Sequence, residues 1–98
     1  MESELLSIKL TSGEEILGKY KSGDETAWQI EDARSIIMMP DGQLRFGPVL
    51  FSGDKNREIT IFKTAIAVHS NTVRPEFVEA YAQAVSPLTL PKKNIIMG

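Results

Sequence analysis

Cysteine is absent from this chain, which excludes disulfides and thiolate metal sites and fits a reducing compartment. Histidine occurs once, at position 69, so neither a histidine-based metal site nor histidine acid-base catalysis has the partners it needs. Long apolar runs are missing too. None approaches the ~20 residues that cross a bilayer, so no membrane association is expected. The N-terminal Met-Glu-Ser-Glu-Leu-Leu carries no basic patch before an apolar stretch, so a cytoplasmic location is expected. An excess of one charge is also lacking. Eleven Lys and Arg oppose thirteen Asp and Glu, for a net charge of −2, so no overall positive field attracts nucleic acid and any such site must be local. Repeats, low-complexity tracts and linkers are absent.

What remains is an ordinary globular composition, 42% hydrophobic and 24% charged over 98 residues, enough for one domain with one core. Turn signals arrive about every 8–14 residues, the cadence of a small β meander. Leu6, Ile8 and Leu10 alternate with Ser7, Lys9 and Thr11 as in a strand with one buried face. Thr11-Ser12-Gly13-Glu14 forms a tight turn in which Gly13 can take positive φ. A second strand runs through Ile16, Gly18 and Tyr20. Its interior glycine is costly unless the backbone bends or is closely approached there. Ser22-Gly23-Asp24 closes this hairpin. The third strand spans about residues 26–39, Pro40-Asp41-Gly42 turns the chain, and the fourth spans about 43–51. After Gly53-Asp54-Lys55-Asn56, the stretch from Glu58 to Ser70, rich in β-branched residues, makes a fifth. The period then becomes helical: Pro75 suits a first turn, Glu76 and Glu79 suit the positive end of the dipole, and Phe77, Val78, Tyr81 and Val85 recur at helical spacing up to Ser86-Pro87. Residues 88–98 form a tail whose Ile95, Ile96 and Met97 would be sticky if free, so the tail is expected to dock on its own or a neighbouring subunit.

The series Ile8-x-Leu10-x-x-Gly13-x-x-Ile16-x-Gly18-x-Tyr20-x-x-x-Asp24 resembles the first motif of the Sm-like family. Phe62-Lys63-Thr64-Ala65-Ile66 resembles the Tyr-Lys-His-Ala-Ile run of the Hfq branch, with Thr64 where that His stands. The likeness spans roughly residues 5–70. It implies a mostly β fold: a strongly bent, five-stranded antiparallel small barrel, here with a C-terminal helix, an arrangement similar to phage-type Sm-like proteins. It also implies a homo-oligomeric ring that binds single-stranded RNA at its central pore and takes part in RNA metabolism or regulation, without a cofactor and without catalysis. A bent sheet whose fourth and fifth strands lack Pro or dense charge at their edges invites pairing with the next copy. Repeating that heterologous contact around an axis closes a ring of about five to seven subunits. A ring that serves instead as a structural or protein-binding scaffold is the alternative.

The resemblance carries the RNA site onto Asp24, Thr26 and Trp28 after the second strand, and onto Phe62, Lys63 and Thr64 near the second motif. Aromatic faces can stack on unpaired bases without a high net charge. Trp28 occupies the place of the family's base-reading Asn. Its alternation with Thr26 and Ile30 equally suits a strand's buried face. Asp24 either orders the binding loop or caps its own turn. Lys63 either defends an edge or, repeated around a ring, concentrates positive potential in the pore. His69 is expected to be solvated, on the face opposite Ile66 and Val68. Gly13-x4-Gly18-Lys19 is a false P-loop, since Tyr20 replaces the Ser or Thr, Glu14 and Glu15 repel phosphate, and no helix follows. Glu14/Glu15 and Glu31/Asp32 read as solvated carboxylates.

Overall fold

The computed structural model describes residues 4–54 and 56–85. Six antiparallel strands form one open sheet, followed by one helix: β1 (Glu4–Leu10), β2 (Glu15–Gly23), β3 (Ala27–Met38), β4 (Leu44–Gly47), β5 (Glu58–Phe62), β6 (Ile66–Ser70) and α1 (Pro75–Val85). The sheet runs β4-β3-β2-β1-β6, with β5 beside β3. Hydrophobic alternation drives this arrangement, because each strand must turn one face out of water. Leu6 and Ile8 of β1, Ile16 of β2, Ile30 and Ala33 of β3, and Ile59 and Ile61 of β5 make the buried core. Gly13 takes φ +101° in the β1–β2 turn, the left-handed region its neighbours would resist. The predicted residues 88–98 dock lies outside the described residues. Among those residues, no helix is long and apolar enough to cross a membrane.

Gly18 sits where close approach requires it. A Cβ there would overlap Ile30 Cγ2 and lie 3.4 Å from the Ala33 Cα. Ile30 is fully buried and cannot retreat into solvent. Gly18→Ala is therefore expected to cost about 1–3 kcal/mol through overpacking. Thermal denaturation checks this, at about 4–8 °C per kcal/mol for a domain of this size. An unchanged melting temperature would mean that the sheet breathes enough at Gly18 to admit a methyl.

Two expectations about strand length are corrected. The fourth strand stops at Gly47 rather than near residue 51, because Pro48 has no N–H to give the ladder. The expected fifth strand is two strands, β5 and β6, separated by a 3-10 turn at Lys63–Ala65. The sheet thus has six strands rather than five. The turn carries the chain from one side of the sheet to the other. Lys63 N–H donates to the Thr26 carbonyl beside β3 (2.8 Å), and two residues on, the Ala65 carbonyl accepts from Thr11 N–H beside β1 (2.8 Å).

The long strand β3 serves two partners in succession. Residues 27–31 pair with β5, and residues 35–38 pair with β4. Between them Asp32 takes φ 52°, and its neighbours find substitute acceptors: Asp32 N–H donates to the Arg57 carbonyl (3.0 Å) and Ala33 N–H to the Asn56 carbonyl (3.2 Å). The bend also receives the helix. Tyr81, the buried residue of α1, donates its hydroxyl to the Asp32 carbonyl (2.7 Å) and meets Phe46 edge-on. Burial and the nearby Asp32 carboxylate push the Tyr81 phenol well above its usual range, so it remains a donor at any ordinary pH.

Candidate nucleic-acid interface

The β2–β3 turn is organised by one carboxylate. Asp24 Oδ1 accepts from Thr26 N–H (2.8 Å), Ala27 N–H (2.9 Å) and the Thr26 hydroxyl (3.0 Å). Such an Asx turn satisfies backbone donors that the strands leave unpaired. These bonds favour the ionised form, led by the backbone N–H groups of Thr26 and Ala27, and hold the Asp24 carboxyl below its usual range, with Lys63 adding to the effect. A lowered folded pKa means that the stabilisation is complete above the unfolded carboxyl value and disappears as pH falls through the folded one. A carboxyl-detected NMR titration is expected to place the Asp24 midpoint below 3.8, and Thr26→Val, which deletes one donor, should move it upward. A midpoint indifferent to that change would mean that the turn opens in solution.

The second turn lies beside the first. Ala27 pairs with Phe62 across β3 and β5, and the Lys63-to-Thr26 backbone bond follows directly. Phe62 is 61% exposed, and Lys63 and Thr64 are exposed with it. Among the described residues the Lys63 ammonium forms no salt bridge, although it sits near enough to Asp24 to influence it. Asp24, Thr26, Phe62, Lys63 and Thr64, separated by almost forty residues of chain, therefore share one exposed patch. It offers an aromatic ring, a cation and a hydroxyl side by side, the chemistry that stacks a base and neutralises a phosphate.

Trp28 lies elsewhere. It pairs with Ile61, one step along from the Ala27–Phe62 pair, so the pleat turns it to the opposite face of the sheet. There it packs against the core and meets Tyr20 and His69 edge-on, at centroid distances of 5.6 and 4.8 Å. Gly23 permits this: a Cβ on it would come within 2.7 Å of both Trp28 Cδ1 and the Tyr20 hydroxyl.

His69 corrects a further expectation. It is exposed, but it does not lie opposite Ile66. The register between β1 and β6 shifts between Lys9 and Leu10, so Ile8 faces His69 while Leu10 faces Ile66. This one-residue bulge brings His69 round to the core side with Ile66 and leaves Val68 outward, 60% exposed. Tyr20 and His69 were thus not legible as a pair with Trp28, since Ile66 to Ser70 contains no glycine or other bulge signal. No protein-family model matches the chain, and comparison with curated proteins finds no match.

Proposed function

We propose that the chain is an Sm-like subunit that assembles into a homo-oligomeric ring and binds single-stranded RNA through Asp24, Thr26, Phe62, Lys63 and Thr64. The reading is of a binding protein with no catalytic step. The observation that carries it is the meeting of two distant turns: the exposed Phe62 and Lys63 stand beside a turn already ordered by Asp24. Assembly draws support from the edges. Among the described residues β5 pairs only with β3 and β6 only with β1, so each has one side open. An apolar groove of about 410 Å³ runs along β5, lined in part by Val49, Leu50, Ile59, Ile61 and Phe62. The β6 edge of a second copy, with its outward Val68, has the complementary chemistry, and pairing the two edges would satisfy backbone groups on both.

Fluorescence anisotropy with oligo-U and oligo-A at two salt concentrations, alongside sedimentation velocity, tests both halves of the proposal. The expected result is a ring-sized particle whose affinity falls with salt, since phosphate contacts release counterions. A monomer at micromolar concentration would sink the ring. A ring that ignores RNA would favour the scaffold reading, for which Leu50 and Phe51, 52% and 93% exposed at one turn, are the natural contact.

A further inference from the structure

The cavity beside Trp28 is unlike the RNA patch in chemistry. It is an open cleft of about 470 Å³, within the range of small-ligand sites. Tyr20, Trp28 and His69 line it as rings set nearly perpendicular to their neighbours, with interplanar angles of 88° and 78°. Leu6 adds an apolar wall, and Glu4 brings a carboxylate held in place by the Asn71 amide, which donates to Glu4 Oε2 at 2.7 Å. Among the described residues, no lysine or arginine lines the cavity. A phosphate-bearing ligand would therefore meet a carboxylate and no counter-charge. A cation would meet a cluster of aromatic rings and one anionic group, the combination that recognises ammonium ions.

We propose that this cavity binds a quaternary alkylammonium group. The inference is independent of RNA binding, because Trp28 and Phe62 lie on opposite faces of the sheet. The methyl groups of such a cation are apolar enough to replace water against Leu6 and the rings, and its diffuse charge suits aromatic faces better than a compact, strongly hydrated ammonium does.

Trp28 is the protein's one tryptophan, so intrinsic fluorescence of the full chain reports directly on the cavity. The probes are choline and its uncharged isostere 3,3-dimethyl-1-butanol. Choline is expected to give a saturable change, with the isostere weaker by roughly tenfold or more, since only the cation gains from the rings and the carboxylate. Glu4→Gln, whose side-chain carbonyl can still accept from Asn71, is expected to weaken choline several-fold while leaving the isostere unchanged and the melting temperature intact. A peptide carrying trimethyl-lysine forms the third arm. Tighter binding than choline assigns the occupant to a protein side chain, and weaker binding assigns it to a free small molecule, with the proposal standing in either case. Equal affinity for choline and its isostere, or no saturable response to choline, would overturn it. So would saturable binding of guanosine or uridine that choline cannot displace, since the cavity would then be a nucleobase site.

Discussion

Replacing Lys63 with alanine in the proposed ring is expected to lower single-stranded RNA affinity on the order of 10⁴-fold near 0.1 M salt and to flatten its salt dependence at the same time. Each phosphate neutralised on a single strand contributes a slope of about 0.7 in log affinity against log salt. The proposed ring would carry one Lys63 per subunit. With about five to seven copies contacting phosphate, the substitution removes roughly 3.5–5 from that slope, and so a comparable number of decades between 1 M and 0.1 M salt. The large effect thus comes from repetition, because a single exposed lysine would change little. Lys63→Arg keeps the charge and should keep both affinity and slope. Lys63 also helps depress the Asp24 carboxyl, so its removal should let the Asp24 midpoint rise, reporting on the adjacency of the two turns whether or not RNA is present. Affinity and slope both unchanged in Lys63→Ala would remove this patch as the RNA site.

Asn56→Ala is expected to destabilise the fold by about 2–3 kcal/mol, the largest stability effect of a single substitution considered for this chain. Asn56 is buried, only 3% exposed, and its amide grips one backbone residue from both sides: Oδ1 accepts from Leu50 N–H (3.0 Å) and Nδ2 donates to the Leu50 carbonyl (3.3 Å). Losing the side chain leaves those part-buried groups without partners, at about 1–3 kcal/mol for each one that water cannot reach. Asn56 also has φ 49°, a conformation that asparagine tolerates and alanine resists by about 1 kcal/mol or more. Asn56→Gly separates the two causes, since it relieves the backbone but not the hydrogen bonds, and it should recover about 1 kcal/mol of the loss. Thermal denaturation at fixed protein concentration is the measurement, because the stability of the proposed ring would depend on concentration. At about 4–8 °C per kcal/mol the alanine variant should melt roughly 10–20 °C lower. A shift below the error of the scan would show that the segment before β5 is not held by this residue. The consequence reaches function, since that segment leads into the strand presenting Phe62 and Lys63.

The proposed cation cavity and the proposed RNA patch differ in how far each could be foreseen. The patch was placed by the resemblance to the Sm-like family, which set Asp24 and Lys63 in two loops, and the fold brings those loops together. The cavity did not, because its rings come from β2, β3 and β6, and His69 reaches it through a bulge that nothing in Ile66–Ser70 announces. Alternation assigns faces only while the register holds.

The same division holds for the fold. Period-2 alternation in Leu6–Leu10, the glycine at position 18 and the switch to helical spacing after Pro75 are local properties, and they determined the β-rich class, the first hairpin and the helix without any knowledge of tertiary contacts. Pro48 was a local signal as well, and it accounts for the early end of β4. What only the tertiary structure decided was where a strand-compatible run must leave its neighbour. Phe62 to Ile66 would sit equally well in one continuous strand, and it turns at Lys63–Ala65 because the backbone there bonds first to Thr26 and then to Thr11. Side-chain pattern encodes which face meets the core, whereas the corner depends on which distant backbone groups are within reach. That is a property of the assembled sheet and of no single segment.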